Sequence, residues 1–193
     1  MKNNITTKII AGKYKGKVLK LPDLEITRSS KSILKESFFN VVQFDIIDKI
    51  FIEAFGGSGS IGLEALSRDA KHAYFCEIDK KSYKVLSQNC QSVDPNSTTM
   101  ILGDTFEKVP VILDQLKNSS DEIIVYIDPP FDFRDGMDDI YTKSFEMVNN
   151  FSNENIYLVV FEHMTGLDMP ENLGKFTKNK TKKFGKSSLT YYN

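Results

Sequence analysis

Cysteine and histidine are scarce in this 193-residue chain, at two residues each. Cys76 and Cys90 stand in no metal-ligand spacing, and His72 and His163 join no Cys/His cluster. Neither a disulfide scaffold nor a zinc or other metal site is therefore expected. No stretch approaches the ~20 consecutive apolar residues that a membrane helix needs. Met1 to Thr7 are polar and lack the apolar core of a signal peptide, which predicts a cytoplasmic protein. Internal repeats and low-complexity linkers are missing as well. What is present is ordinary for one globular domain with a small appendage: 40% hydrophobic and 26% charged residues.

The net charge of −1 hides an asymmetry. Residues 1–40 carry nine Lys/Arg against three Asp/Glu, residues 174–193 carry six lysines and no acid, and the stretch between is strongly acidic. Lys-rich segments are most often solvated faces. If the two basic ends converge in the fold, they would instead form a surface for a polyanion.

Lys8 to Leu21 reads as a basic hairpin of two strands, K-I-I-A-G and K-V-L-K-L, turning near Gly12–Gly16. Apolar spacing predicts a helix over 30–44. These pieces make residues 1–45 an extension to a main domain at 46–193. From Lys49 onward strands and helices alternate. Strands are expected at 50–55, 72–78, 98–102, 122–127 and 156–162, with helices at 60–68, 80–92, 106–118 and 138–150. Such alternation implies βαβ units and a mainly parallel α/β sheet covered on both faces. Residues 176–182 and 187–192 flank Gly185 and read as a closing antiparallel hairpin.

Glu53-Ala54-Phe55-Gly56-Gly57-Ser58-Gly59 ends one strand and opens a helix, where Gly57 and Gly59 would let the backbone approach a ligand. Glu77, at the end of the next strand, can take both hydroxyls of a ribose; alone, it would pass equally as a solvated strand end. Dinucleotides and S-adenosylmethionine both fit a turn plus an acid, and Gly57 to Gly62 matches the G-x-G-x-x-G spacing. Glu53, however, would oppose a pyrophosphate and suits a cationic ligand. Asp104 could accept from an adenine amine, cap the helix that follows, or do both.

Asp128-Pro129-Pro130-Phe131 is the most specific signal. Two prolines stiffen the turn and remove two donors. The Asp128 carboxylate and the Pro129 carbonyl can then face one cleft as paired acceptors for a planar NH2 group. Phe131 offers a stacking face worth ~1–3 kcal/mol. Together these residues describe a pocket for an amino-bearing base withdrawn from its stack.

These motifs resemble the class I S-adenosylmethionine-dependent methyltransferases, and more closely the bacterial 16S ribosomal RNA guanine-N2 methyltransferases of RsmD type. The resemblance runs nearly end to end. It covers Ile9 to Lys17, Arg28, Glu36 to Asn40, Phe55 to Arg68, Asp128 to Phe131, Phe184 to Leu189 and Tyr191-Tyr192. Members usually carry Asp at Glu53, Arg-Pro-Thr at Arg28-Ser29-Ser30, and arginine at Ile33 and Lys35.

The resemblance implies a Rossmann-like, mainly parallel seven-stranded sheet with a C-terminal antiparallel hairpin. It implies S-adenosyl-L-methionine as cofactor, held by Glu53, Phe55, Gly57, Ser58, Gly59, Glu77, Ile78, Asp104 and Thr105. The substrate would be a guanine N2 amine in 16S ribosomal RNA or a small-subunit assembly particle. Asp128, Pro129, Pro130 and Phe131 would be catalytic, and Lys13, Lys15, Lys17 and Arg28 would grip phosphates. A monomer working without metal or membrane is expected. Two rivals remain: an adenine-N6 methyltransferase, and more distantly an NAD(P)-dependent oxidoreductase.

Overall fold

The structure, a computed structural model, describes residues 5–22, 28–130 and 139–193, and of 28–31 the main chain. Elements run β1 (Thr6–Lys8), β2 (Val18–Lys20), α1 (Arg28–Val41), β3 (Ile50–Glu53), α2 (Ser60–Ser67), β4 (His72–Glu77) and α3 (Lys80–Val93). They continue β5 (Thr98–Leu102), α4 (Thr105–Gln115), β6 (Ile123–Ile127), α5 (Ile140–Asn149), β7 (Ile156–Met164), β8 (Asn172–Leu173), β9 (Phe176–Phe184) and β10 (Ser187–Tyr192).

One sheet has the order β5-β4-β3-β6-β7-β10-β9-β8. The pairings from β5 through β7 are parallel, and β10, β9 and β8 close the sheet antiparallel. The seven expected strands are β3–β7, β9 and β10; the two-residue β8 adds an outermost eighth. Two buried clusters cover the sheet. Leu34, Phe38 and Phe39 of α1, Leu63 and Leu66 of α2 and Leu86 of α3 pack on one face. Val109 and Leu113 of α4 and Val148 of α5 pack on the other. Strand order reverses at β3, the place where an open α/β sheet leaves a crevice beyond its carboxyl edge.

The N-terminal hairpin differs from the sequence expectation. Its strands are three residues each, paired Thr6↔Lys20 to Lys8↔Val18, and residues 9–17 form an excursion rather than strand. The cause is a competing acceptor. The Glu64 carboxylate on α2 receives the N–H groups of Ile10 at 2.7 Å and Ala11 at 3.0 Å, so these amides leave the ladder. Ile9, Leu19, Leu34 and Phe38 share one buried cluster with Phe51 and Phe75 of the main sheet.

Candidate active site

Four neighbouring strands finish in acids on one face. Glu53 ends β3, Glu77 ends β4, Asp128 follows β6 and Glu162 sits near the end of β7. Two positions before each lies a member of the α1–α3 cluster: Phe51, Phe75, Tyr126 and Val160. Strand alternation therefore puts all four carboxylates on that face. A cleft of about 310 Å³ opens there. Glu53, Phe55, Gly57, Ser58, Asp128 and Glu162 line it, together with Thr6 and Lys8 of β1 and Lys35 of α1.

The glycine turn is held by acids rather than by its own side chains. Glu77 Oε2 accepts the Gly57 N–H at 2.8 Å and Oε1 accepts that of Asp79 at 2.7 Å. Gly59, the N-cap of α2, makes no side-chain cap. Glu53 supplies that service from β3, its Oε2 accepting the Gly62 N–H at 2.8 Å, where a helix N-terminus favours negative charge. Gly59 has a φ of 76°, and a Cβ there would meet Leu86 Cδ1 at 2.6 Å. Its freedom thus also serves the packing of α2 on α3.

Asp104 is the N-cap of α4, accepting the Phe106 N–H at 2.9 Å. Thr105 is buried and its hydroxyl donates to the Ala54 carbonyl, tying α4 to the end of β3. The rings of Phe55 and Phe106 meet edge to face at 5.9 Å. Ile78, directly after Glu77, is 66% exposed, an apolar surface beside an acid. Pro129 is buried and Pro130 exposed. Phe131 lies outside the described residues, as does the side chain of Arg28.

Two cleft residues escaped the sequence reading as site members. Glu162 is 2% exposed, and its Oε2 accepts the Tyr126 hydroxyl at 2.7 Å. Burial, then the charges of Glu162, Asp128 and Glu53, push the Tyr126 hydroxyl well above its ordinary range, so it stays a donor. Lys35 of α1 is 4% exposed; its Nζ lies 3.3 Å from Glu64 Oε2 and donates to the Lys8 carbonyl at 3.1 Å. Burial pulls its pKa down, opposed by Glu64 and Glu53. An acid closing an apolar strand, the pattern that flagged Glu77, would have flagged Glu162 too.

Lys8 and Lys35 line the cleft, but Lys13 sits at the opposite end of α2. Lys13, Lys15 and Lys17 are exposed, but the loop bearing them runs down α2 away from the cleft. The Lys13 N–H bonds the Ser67 carbonyl at the end of α2, and the Tyr14 hydroxyl bonds Asp94, which closes α3. Since α2 starts at Ser60 on the cleft and has eight residues, the Lys13 main chain sits at its far end, ~10 Å along the helix at 1.5 Å per residue. The carboxyl-terminal lysines do reach the cleft end. Ser187 pairs with Met164, two residues beyond Glu162, so the β9–β10 turn with Lys186 lies there. Among the described residues no helix is long and apolar enough to cross a membrane, and no three potential metal ligands cluster.

Residues 7–193 match the family model described as conserved hypothetical protein 95. A Haemophilus influenzae protein named ribosomal RNA small subunit methyltransferase D is 35% identical over 133 residues, 65% of this chain and 64% of its own length. The chain thus spans somewhat less than two thirds of that curated relative. A solved Escherichia coli structure superposes with a TM-score of 0.76 at 24% identity, covering 97% of both chains. A solved Haemophilus influenzae structure superposes at 0.66 with 28% identity, covering 97% of this chain and 98% of its own. With the acids, the glycine turn and the diproline corner at the edge where open α/β sheets bind ligands, the chain belongs to the conserved hypothetical protein 95 family.

Proposed function

We propose that this protein transfers a methyl group from S-adenosylmethionine to the exocyclic N2 amine of a guanine in small-subunit ribosomal RNA. The observation that carries the reading is that Asp128 and the turn residues Phe55, Gly57 and Ser58 line one cleft. A base amine at Asp128 and a ligand on the turn would then meet. The donor set suits a cation: Glu53 and Glu77 bracket the turn, and Ile78 offers an apolar surface for a heterocycle. The names of curated relatives support ribosomal RNA as the substrate class.

When bound, S-adenosylmethionine supplies a methyl group made electrophilic by its positive sulfur, which takes back the bonding pair. Glu77 would hold the ribose and Asp104 the adenine amine; each carboxylate already accepts main-chain N–H groups and so has a fixed orientation. Asp128 and the Pro129 carbonyl would accept from the two N2 protons, freeing the nitrogen lone pair from the ring and dispersing the charge that develops there. As the N–C bond forms, the nitrogen sheds a proton to Asp128 Oδ and on to water, leaving a neutral N-methyl amine. In-line positioning would account for most of the acceleration, a contribution that reaches ~7–11 kcal/mol.

The test is tritiated methyl incorporation into RNA by the purified protein, followed by nucleoside analysis. N2-methylguanosine is the expected product; label in another nucleoside, or none, refutes the reading. Asp128→Ala should lower turnover ~100- to 1,000-fold, a loss of the order seen when a group stabilising the transition state is removed, with cofactor Kd within threefold of wild type. Glu77→Ala should do the reverse, raising cofactor Kd.

A further inference from the structure

The surface beyond β7 carries charge of one sign. Residues 174–193 hold six lysines and no acid, on a hairpin whose turn lies at the cleft end of the sheet. These lysines divide by position. Lys175 and Lys178, at the other end of the hairpin, are neutralised by Glu154 and Glu171. Lys180 lies over the Tyr191 ring at 5.1 Å, and among the described residues Lys182 and Lys186 pair with no carboxylate.

Register fixes where they face. Glu162 pairs with Leu189 and Leu189 with Lys182; Val160 pairs with Tyr191 and Tyr191 with Lys180. Directly opposed residues share a face of the sheet, and Val160, Leu189 and Tyr191 all belong to the cluster under α1–α3. Lys180 and Lys182 thus stand on the cleft face, and Lys182 continues the row that holds Asp128 and Glu162. At ~4.8 Å per strand its main chain is ~10 Å from that of Glu162 and ~14 Å from that of Asp128. Lys183 pairs with Ser188 and takes the opposite face. A nucleotide cannot bring its base to Asp128 without bringing phosphates to a cleft lined by Glu53, Asp128 and Glu162, whose charge repels them. Cations beside the cleft are what would hold those phosphates.

We infer that Lys180, Lys182 and Lys186 form a docking strip for the phosphates of the RNA strand that flanks the target base, leading it across β10 to the cleft. The inference rests on the RNA-methylating reading above and adds the surface on which the substrate lies. Lysines on an outer strand also discourage edge-to-edge pairing, and β8 covers β9 only at Phe176 and Thr177. Edge protection is served by charge of either sign on either face, whereas docking needs cations on the cleft face.

The test measures binding of the full chain to a 16S ribosomal RNA transcript by filter retention across a potassium chloride series. Lys180→Gln, Lys182→Gln and Lys186→Gln together should flatten the log–log salt slope by ~2–3, at ~0.7–0.9 for each contact, and raise KM for RNA about tenfold. Lys71→Gln, Lys117→Gln and Lys183→Gln together remove the same charge from the far edge of the sheet and from the opposite face, and should leave the slope as in wild type. Lys180→Glu with Lys182→Glu keeps the edge charged, so it answers even if the glutamine triple aggregates; it should weaken binding, where edge protection alone predicts no change. An unchanged slope and affinity in the strip variants, or an equal fall in the control triple, overturns the inference. If N2-methylguanosine still forms, that result overturns this inference alone. A flattened slope with methyl on another nucleoside overturns the guanine assignment and leaves the strip, and wild-type protein that binds no RNA overturns both.

Discussion

Glu64 Oε2, deep on α2, accepts the main-chain N–H of Ile10 at 2.7 Å. Through this bond a helix of the main sheet dictates where the N-terminal segment runs. The same carboxylate takes the Ala11 N–H, stands 3.3 Å from Lys35 Nζ and bonds Arg68 Nε at 3.0 Å. It is fully buried. One side chain thereby fastens the N-terminal loop, α1 and α2, and with them Lys8 and Lys35 of the cleft lining.

Glu64→Ala should accordingly be costly. It strands a buried ammonium and two main-chain amides, and breaking one side of a buried ion pair costs ~3–5 kcal/mol. For a chain of this size the melting temperature should fall by ~10 °C, read by calorimetry. A fall of under 2 °C would show that the N-terminal segment is held by something else.

Gly12 and Gly16 make a matched pair. Both have positive φ, 82° and 85°. A Cβ on Gly12 would lie 1.6 Å from the Ser67 carbonyl oxygen, while one on Gly16 would meet nothing within 4 Å. Gly16→Ala should cost only the conformational term of ~1–2 kcal/mol. Gly12→Ala should cost at least ~2 kcal/mol more, because the obstacle is main chain and the loop must lift off α2. Equal losses in denaturant unfolding would contradict the docked loop.

The clip between Tyr14 and Asp94 should show in pH dependence. Burial, with the Asp94 hydrogen bond and charge, pushes the Tyr14 hydroxyl up to about 12 from 10.0. A folded value above the unfolded one means stability that is complete below pH 10 and lost as pH rises from 10 to about 12. Asp94 is shifted down from 3.8 by Tyr14 and Ser97, against burial, so its share is lost as pH falls below 3.8. The stability difference between wild type and Tyr14→Phe should be flat near neutrality and shrink at both extremes. A difference that grows above pH 10 would reverse the sign and refute the clip.

Replacing Lys13, Lys15 and Lys17 by glutamine tests what a basic loop at the far end of α2 contributes. Every lysine–phosphate pairing that the change removes should reduce the log–log salt slope of RNA binding by ~0.7–0.9, so the triple change should flatten it by ~2–3. Because Lys13 is anchored at the end of α2 opposite the cleft, kcat at saturating RNA should hold within twofold. An unchanged slope would mean that this loop touches no phosphate.

Much of the architecture was legible in the sequence. The β-branched run Ile123–Ile127, the alternation of strand and helix, and the hairpin around Gly185 encode structure through periods of 2 and 3.6 and through turn residues, all local properties of the chain. The acids Glu53, Glu77 and Asp128 were likewise legible, since a polar residue ending an apolar strand falls at the sheet's edge. The N-terminal strands were misjudged because the acceptor that diverts Ile10 and Ala11 is Glu64, more than 50 residues away.

The chain's own order thus determined the elements, the glycine turn and the diproline corner. Tertiary structure alone decided that Glu162 stands beside Asp128, that Lys35 is buried at the cleft wall, that Gly59 answers to Leu86, and that Lys13 lies at the far end of α2. The physical reason is strand order: β6 and β7 pair in parallel only across a helical crossover, so side chains 34 positions apart become neighbours through hydrogen bonds that no local pattern records.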